Sequence, residues 1–325
     1  MKRNFVFSVL LLVFAGVHST TLTFQEEFYA GSVTYNEEAK PGEAIFARLS
    51  IKPGKNSGKK SLPEVKSVLQ LWSGGKKIEN SGFYLLPQRS RKNYKEFLSG
   101  IPLSSWLKAD KDYQVKILIS IPESEDKELL LPFSMNDVKF IEETIDLNAK
   151  NTGIKQNMSA ERLSQIEKLN KILGTVDETS VYSLKPFVKP VSSERMTAFY
   201  GDRRIFRYSN GKTETSLHYG DDYGVPEGTE VRAAQEGKVV LAEFRISTGW
   251  SVVIEHLPGL YSLYYHLSSL NVKEGDRVKS GEKIGLSGST GLATGPHLHW
   301  EVRLNAGAVK PDFFRKNYTF EGSEN

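Results

Sequence analysis

The chain has 325 residues, with 43 Lys and Arg, 39 Asp and Glu, 6 His and a formal net charge of +4. This length predicts about two domains, each able to bury its own core. The charge is too weak to indicate a nucleic-acid partner. The absence of Cys excludes disulfides, thiolate metal ligands and a cysteine nucleophile, so any metal must be held by histidine or carboxylate side chains.

The N-terminus has the pattern of a secretory signal peptide. Lys2 and Arg3 precede an apolar run that ends at Val17, and Ser19 is a suitable small residue before a cleavage point. The run is shorter than the ~20 residues that span a bilayer. We therefore expect cleavage of residues 1–19 rather than a membrane anchor, and a mature chain without a stable membrane span, located in the periplasm, the cell envelope or the medium.

Residues 20–146 consist of short apolar alternations separated by turn residues. In YQVKILISI, every second residue from Tyr113 to Ile121 is apolar and falls on one face of a strand, because strand side chains alternate with period two. Several such strands, at roughly 8–12-residue spacing, predict an antiparallel β-sandwich of the immunoglobulin-like type. No catalytic group of residues stands out in this region.

Residues 147–186 are predicted to link two domains. The segment SAERLSQIEKLNKILG has apolar residues at helical spacing, with Ser159 placed to cap its start and Gly174 to end it. Beyond this connecting helix, KPFVKPVSS contains two prolines, which indicates a boundary before the second domain, residues 187–325.

The second domain again has the pattern of antiparallel β-structure. Candidate strands are GKVVLAEFR, WSVVIEH, LYSLYYHLS, DRVKSGEKIGLSG and HLHWEVRLN. Asn210 and Gly211 predict a type I′ hairpin turn. Strands do not alternate with helices, so a parallel-sheet nucleotide fold is not expected. The predicted fold class is therefore mainly β: a sandwich, a short connecting helix and a C-terminal antiparallel barrel-sandwich.

Five of the six histidines lie between residues 218 and 299. In GPHLHWEV, His297 and His299 share a strand face with Glu301, because residues i and i+2 point the same way. Leu298 and Trp300 point to the other, apolar side, which faces the core. The two imidazoles then face a polar groove, where one can bind a metal while the other lies beside it.

A second motif, HYGDDYG, supplies further candidate ligands. Asp222 follows His218 by four residues, and Gly220 between them permits a tight loop. Imidazole and carboxylate are both good Zn²⁺ ligands, and a catalytic zinc commonly has three protein ligands and one open position. His218, Asp222 and His299 would make that set. Asp221 is a competing carboxylate, which spacing alone does not exclude.

The other two histidines of this region differ in their sequence context. His266, in YYHLS, alternates with Tyr264 and Ser262, which predicts one shared strand face and an approach to the metal from a neighbouring strand. His256, in VVIEHLPGL, comes just before a Pro-Gly turn and is interpreted as a structural histidine.

HYGDD, YYHLS and TGPHLHWEV, in this order, resemble the motifs of the lysostaphin or LytM-like zinc metallopeptidases. The resemblance covers residues 187–314 and also includes the intervening GVPEGTEVRAAQEGKVV. It implies a duplicated hybrid motif fold and one Zn²⁺ per chain. It also implies endopeptidase activity on the peptide part of bacterial peptidoglycan through a metal-activated water.

The family's site residues can be carried over motif by motif. The His and Asp of the first motif and the second His of the last motif bind zinc in the family, which implies His218, Asp222 and His299 as ligands here. The remaining two, His297 and His266, would form a catalytic pair. Which of the two accepts the proton is left open.

These features predict a secreted zinc metalloendopeptidase, a peptidoglycan hydrolase whose partners are peptidoglycan peptides. The alternative is a non-catalytic member of the same fold, which binds the wall or activates another hydrolase; such members usually lack a ligand, whereas all five positions are filled here. A lipoyl-type or biotinyl-type carrier would need a modifiable lysine at a hairpin tip, and NVKEGDRVKSGEKIG does not offer one in the expected context. The bond cut could be a D,D or L,D cross-link or a Gly-Gly bridge, and the N-terminal domain could dock to the wall or cover the groove.

Overall fold

The computed structural model describes residues 9–11, 19–54, 62, 64–122, 124–318 and 320. The chain divides into two compact units, Met1–Val138 and Lys139–Asn325. Most of the predicted signal peptide, residues 1–19, lies outside the described residues. Within the described part of the chain, every helix is too short or too polar to cross a membrane.

The first unit is built almost entirely of strands. They are β1 (Val9–Leu11), β2 (Ser19–Gln25), β3 (Tyr29–Asn36), β4 (Glu38–Ala39), β5 (Ala44–Pro53), β6 (Lys66–Ser73), β7 (Lys76–Gly82), β8 (Tyr84–Leu85), β9 (Lys95–Pro102), β10 (Tyr113–Ser120), β11 (Lys127–Leu131) and β12 (Ser134–Met135). One sheet has the order β1-β2-β3-β5-β9-β8, and a second has the order β11-β10-β6-β7. Apolar side chains of both sheets form a single core cluster.

Strand β10 has the predicted alternation of burial. Val115, Ile117 and Ile119 are fully buried, whereas Gln114, which precedes them, and Leu118, which lies between the last two, are exposed. The prediction of mainly β-structure is therefore confirmed, because the period-two pattern is a local consequence of strand geometry. The immunoglobulin-like type of the sandwich stays a prediction.

The second unit combines two helices with a larger set of strands. They are β13 (Glu142–Asp146), α1 (Ala149–Lys155), α2 (Ala160–Leu173), β14 (Met196–Ala198), β15 (Arg203–Arg207), β16 (Thr213–Leu217), β17 (Gly220–Tyr223), β18 (Glu230–Arg232), β19 (Gly237–Arg245), β20 (Gly249–Leu257), β21 (Leu260–Leu270), β22 (Arg277–Val278), β23 (Lys283–Ser287), β24 (Leu298–Leu304) and β25 (Gly307–Val309). Short helical turns lie at Pro87–Arg89 in the first unit and Phe313–Asn317 in the second.

Helix α2 is the connecting helix that the sequence predicts. The Ser159 hydroxyl accepts a hydrogen bond from the Arg162 backbone N–H at 3.3 Å, and Gly174 follows the last turn. Its apolar side chains Leu169, Ile172 and Leu173 join a core cluster with residues of β19, β20 and β21. The shorter helix α1, capped by the side chain of Asn148, was not expected.

Strand β13 belongs to a small sheet with the order β13-β15-β16. It pairs in parallel with β15, from Glu142 opposite Arg203 to Asp146 opposite Arg207. The sequence boundary after residue 146 assigns β13 to the first domain, whereas the compact second unit already begins at Lys139. A parallel pairing between strands so distant in sequence leaves no local signal.

The turn between β15 and β16 differs from the sequence prediction. The hairpin itself is present, but only Gly211 has a positive φ, +83°, whereas a type I′ turn requires one at both central residues. The Tyr208 N–H donates to the Lys212 carbonyl at 2.8 Å, so the loop is longer than two residues. The type I′ assignment is wrong, because the Asn210 side chain instead accepts from the Lys212 N–H at 3.1 Å.

A ten-stranded sheet forms most of the second unit, with the central order β14-β17-β24-β21-β20-β19-β22. In the β17 and β24 pair, Asp222 lies opposite His299. In the pair formed by β24 and β21, His299 lies opposite Tyr265, the residue before His266. Three adjacent strands therefore bring together side chains that lie far apart in sequence.

Candidate metal centre

His218, Asp222 and His299 converge at the β17 and β24 pair. The Asp222 Oδ1 atom lies 3.1 Å from His218 Nε2 and 2.7 Å from His299 Nδ1, and the two nitrogens are 3.0 Å apart. All three side chains are buried, and one possible ligand atom from each lies within 4.8 Å of the others. Among the described residues, no other group of this kind is found.

The adjacent carboxylate, Asp221, points elsewhere. Its Oδ1 accepts a hydrogen bond from the Tyr200 backbone N–H at 2.9 Å. Because successive strand side chains point to opposite faces, only one of the two aspartates can face the histidines. Of the two aspartates, Asp222 is therefore the one whose carboxylate faces the histidines.

Hydrogen bonds on the outer side of each imidazole fix its orientation. His218 Nδ1 lies 2.8 Å from the Phe199 carbonyl oxygen, to which it donates. His299 Nε2 lies 2.9 Å from Glu301 Oε1, and Arg303 donates to the other oxygen of Glu301 at 2.8 Å. These contacts leave His218 Nε2 and His299 Nδ1 to face the point of convergence. Outer hydrogen bonds of this kind commonly fix the orientation of metal-ligating histidines.

Arg204 holds the second oxygen of Asp222. Its Nη2 donates to Asp222 Oδ2 at 2.8 Å, and its Nε donates to Glu143 Oε1 on β13 at 3.0 Å. The carboxylate of Asp222 is thus fixed by an arginine on one side, and its Oδ1 is directed to the two imidazoles.

The electrostatics of the cluster favour positive charge at the point of convergence. Burial alone would raise the pKa of Asp222, but the charge of His299 and hydrogen bonds from both histidines hold it well below 3.8. Burial alone would lower the pKa of His299, but Asp222 and Glu301 on either side raise it to about 9. Two imidazole nitrogens and one carboxylate oxygen, each supported from outside, fit Zn²⁺.

His266 and His297 form a second imidazole pair beside this cluster. Their ring centroids are 4.7 Å apart, and His297 Nε2 lies 3.8 Å from Asp222 Oδ1. His266 Nδ1 donates to the Thr290 carbonyl and His297 Nδ1 to the Gly295 carbonyl, both at 2.8 Å. Burial lowers the pKa of both rings, so both are neutral near pH 7. All five predicted site residues are therefore close together.

His266 reaches the site in a different way from the one the sequence predicts. Tyr264 and Ser262 do not share its face, because their hydroxyls are 2.9 Å apart in the buried core. Tyr265 instead stacks on His299, with ring centroids 5.5 Å apart and an interplanar angle of 4°. The predicted alternation is wrong here, because His266 adopts φ +61° at a register shift of β21 and its side chain turns to the site.

His256 lies apart from these residues, in agreement with its interpretation as structural. Its Nδ1 donates to the Glu236 carbonyl at 2.9 Å, and its Nε2 lies 2.7 Å from the Ser262 hydroxyl. Its ring also packs edge-on against Phe187. These contacts account for both ring nitrogens.

The candidate metal centre opens into a groove of about 330 Å³. Part of its wall comes from residues that the sequence did not indicate, namely Ile145, Leu147, Lys155, Phe206 and Leu292. Ile145 lies on β13 and Lys155 lies on α1, and neither of these two elements was predicted. Glu301 was expected on the strand face of His299, and its contact with that ring agrees with strand alternation. The partners of Arg204, which are Glu143 on β13 and Asp222 on β17, could not be read from sequence spacing.

Residues 216–311 match the family profile described as Peptidase family M23. The chain contains a peptidase family M23 domain. The resemblance drawn from the three motifs is thereby confirmed, and all five candidate residues lie within the matched range. Glu143, Lys155 and Arg204 lie outside it.

Two curated relatives of the M23 domain have names that describe an activity. The chain is 46% identical over 95 residues to the DD-carboxypeptidase/endopeptidase Mpg of Neisseria meningitidis serogroup B, covering 29% of this chain and 22% of that protein. It is 39% identical over 114 residues to the peptidoglycan DD-endopeptidase ShyA of Vibrio cholerae, covering 35% and 26%. The chain thus spans about a quarter of the length of these relatives.

Among solved structures, the chain is similar to a putative peptidase M23 from Pseudomonas aeruginosa. The TM-score is 0.50 at 21% identity, and the match covers 80% of this chain and 97% of that one. At this identity, the similarity shows the fold of the chain and not its activity.

Proposed function

We propose that this chain is an exported, zinc-dependent endopeptidase that hydrolyses peptide bonds of bacterial peptidoglycan. The observation that carries the proposal is the convergence of two imidazole nitrogens and one carboxylate oxygen beside a second imidazole pair 4.7 Å apart, in an open groove. Support for the substrate comes from relatives named as peptidoglycan or DD-endopeptidases. A cross-link that contains D-Ala is therefore the first substrate to test.

In this proposal, His218, Asp222 and His299 hold the metal. Zinc, when bound, supplies a nucleophile at neutral pH and a Lewis acid for the scissile carbonyl. Arg204 and Glu301 keep the carboxylate and the His299 ring in the orientation that faces the cation.

His266 and His297 carry the proton chemistry in this proposal. Each ring holds its Nδ1 in a hydrogen bond to a backbone carbonyl, which leaves Nε2 to exchange a proton in the groove. Positioned acid–base groups of this kind typically contribute about 10²- to 10⁴-fold in rate. Either ring can accept the proton, and the other can stabilise the developing oxyanion.

The proposed layout keeps a signal peptide at residues 1–19 and an immunoglobulin-like sandwich before the peptidase domain. Its support is the basic start and short apolar run of the N-terminus and the two sheets of the first unit. N-terminal sequencing of exported protein checks the boundary, and a first residue near Thr20 is the expected result.

The experiment compares His297→Ala and His299→Ala, with zinc content and release of peptidoglycan fragments measured separately. We expect wild-type protein to release peptidoglycan fragments, and we expect this release to stop when zinc is chelated. His297→Ala should keep its zinc and lose about 10²-fold or more in rate, whereas His299→Ala should lose both. Fragment masses identify the bond.

Three outcomes contradict the proposal. Wild-type protein that binds the wall but releases no fragments would favour the non-catalytic alternative. Full activity in His297→Ala would remove that residue from the proton chemistry. Zinc loss in His297→Ala equal to that in His299→Ala would make His297 a ligand instead.

A further inference from the structure

The turn between β19 and β20 borders the groove and holds the backbone of His266. Ser247 and Thr248 of this turn line the groove. The Thr248 carbonyl accepts a hydrogen bond from the His266 N–H at 2.8 Å. His266 is not a glycine, yet it has φ +61°, a conformation that costs roughly 1–2 kcal/mol and persists only where neighbouring groups maintain it.

The same turn also anchors the loop that holds the imidazole of His266. His266 Nδ1 donates to the Thr290 carbonyl at 2.8 Å. Two residues further on, the Leu292 N–H donates to the Ser247 carbonyl at 2.9 Å. The position of this turn therefore affects both the backbone and the ring of His266.

Helix α2 holds the turn from outside the matched family range. Gln165 Oε1 accepts from the Ile246 N–H at 2.8 Å, and Arg162 Nε donates to the Ser247 hydroxyl at 2.9 Å. The Gln165 backbone carbonyl also accepts from Arg245 at 3.3 Å. The helix is itself fixed to the sheet by the apolar side chains of its last turns.

We propose that Gln165 and Arg162 are positioning residues for His266, acting through the turn between β19 and β20. The inference rests on the proposed function, in which His266 exchanges a proton with the reacting groups. Proton transfer requires contact at hydrogen-bond distance, and a displacement of about 1 Å in an active site can cost about 10²-fold in rate. Loosening the turn would permit such a displacement without touching a metal ligand.

The test uses the full chain with Gln165→Met, which removes the acceptor for the Ile246 N–H. Lys168→Met is the matched control, because Lys168 lies one turn further along α2 and binds Glu243 at 2.6 Å rather than the turn. Gln165→Glu is the conservative variant, because it keeps an acceptor oxygen for Ile246. The readouts are kcat and KM on a soluble cross-linked muropeptide, zinc content, and the NMR signals of the histidine side chains.

We expect Gln165→Met to lower kcat about 10- to 100-fold while KM stays within about twofold and zinc content is unchanged. The NMR signals of the His266 ring should shift in this variant and not in Lys168→Met. Gln165→Glu should have a kcat close to that of the wild-type protein and well above that of Gln165→Met. A variant that merely weakened packing would not produce this combination, because zinc content and KM report an intact site.

The proposal is overturned if Gln165→Met matches Lys168→Met in kcat and in its His266 signals. Should Gln165→Met fail to fold, Arg162→Met removes the Ser247 contact, together with the hydrogen bond from Arg162 to the Asn157 carbonyl, and is judged by the same readouts. Wild-type protein that releases no fragments would refute the proposed function, whereas the His266 signals would still decide whether α2 positions that ring.

Discussion

Arg204 connects the candidate metal centre to a strand outside the matched family range. Its guanidinium lies between Asp222 Oδ2 and Glu143 Oε1, with 16% of its side chain exposed. A carboxylate that is held at one oxygen presents the other in a fixed direction. The precision of the donor set therefore depends on a residue that is not itself a ligand.

We expect Arg204→Met to lower zinc affinity about 10-fold, because the loss of such an outer partner typically costs 10- to 100-fold in affinity or activity. Competition with a chelating dye measures this affinity directly. Arg207→Met is the control on the same strand, since Arg207 is 55% exposed and pairs only with Asp146 at 3.0 Å among the ion pairs described. Equal affinities in the two variants would contradict the prediction.

His256 gives the second unit a dependence of stability on pH. Full burial lowers its pKa from 6.5 to about 4, so the folded protein keeps this ring neutral where the unfolded chain protonates it. The unfolded state therefore binds more protons between pH 6.5 and 4, and the free energy of unfolding falls as the pH drops through this window.

We expect this ring to contribute a loss of about 3 kcal/mol between pH 7 and pH 4. The free energy of unfolding in urea, measured at both pH values for wild-type protein and for His256→Gln, isolates the contribution of this ring, because the other titrating groups are common to the two proteins. His256→Gln will be less stable at pH 7 but should lose less on acidification. Parallel pH profiles for the two proteins would show that His256 is not the group responsible.

At the scale of elements, the site depends on three adjacent strands and one irregularity. The shared groove-facing side of His297 and His299 could be predicted, because strand alternation is a local property. Leu298 between them and Trp300 after them are indeed fully buried. The direction of His266 could not, because a register shift with a positive φ reverses the alternation without any glycine to signal it.

The contact between Glu143 and Arg204 could not be predicted from the sequence either, because it depends on the pairing of two distant strands. Helix α2 could be predicted from Ser159 at its start, the spacing of its apolar residues and Gly174 at its end. Strand β13 does not, because its burial alternates only weakly and its partner β15 is about sixty residues away. The contact of Glu143 with Arg204 follows from that pairing, so it became visible only once the strands were placed together.

At the scale of the whole molecule, every residue that lines the groove belongs to the second unit. The sequence boundary suggests a minimal peptidase that starts near Lys185. Such a fragment would lack β13, which pairs with β15, and α2, which covers part of the core of β19, β20 and β21. The structure instead indicates Lys139 as the start of a complete unit.

We therefore expect a fragment of residues 139–325 to fold and to retain kcat within about twofold of the full chain, with its zinc. A fragment of residues 185–325 should melt about 10 °C or more below it, because losing Leu169, Ile172 and Leu173 alone removes about 4 kcal/mol of apolar burial. Calorimetry and muropeptide hydrolysis on both fragments measure these differences. Equal melting temperatures would show that α2 and β13 are dispensable for the fold, and a strong gain in activity in residues 139–325 would mean that the first unit restrains the enzyme.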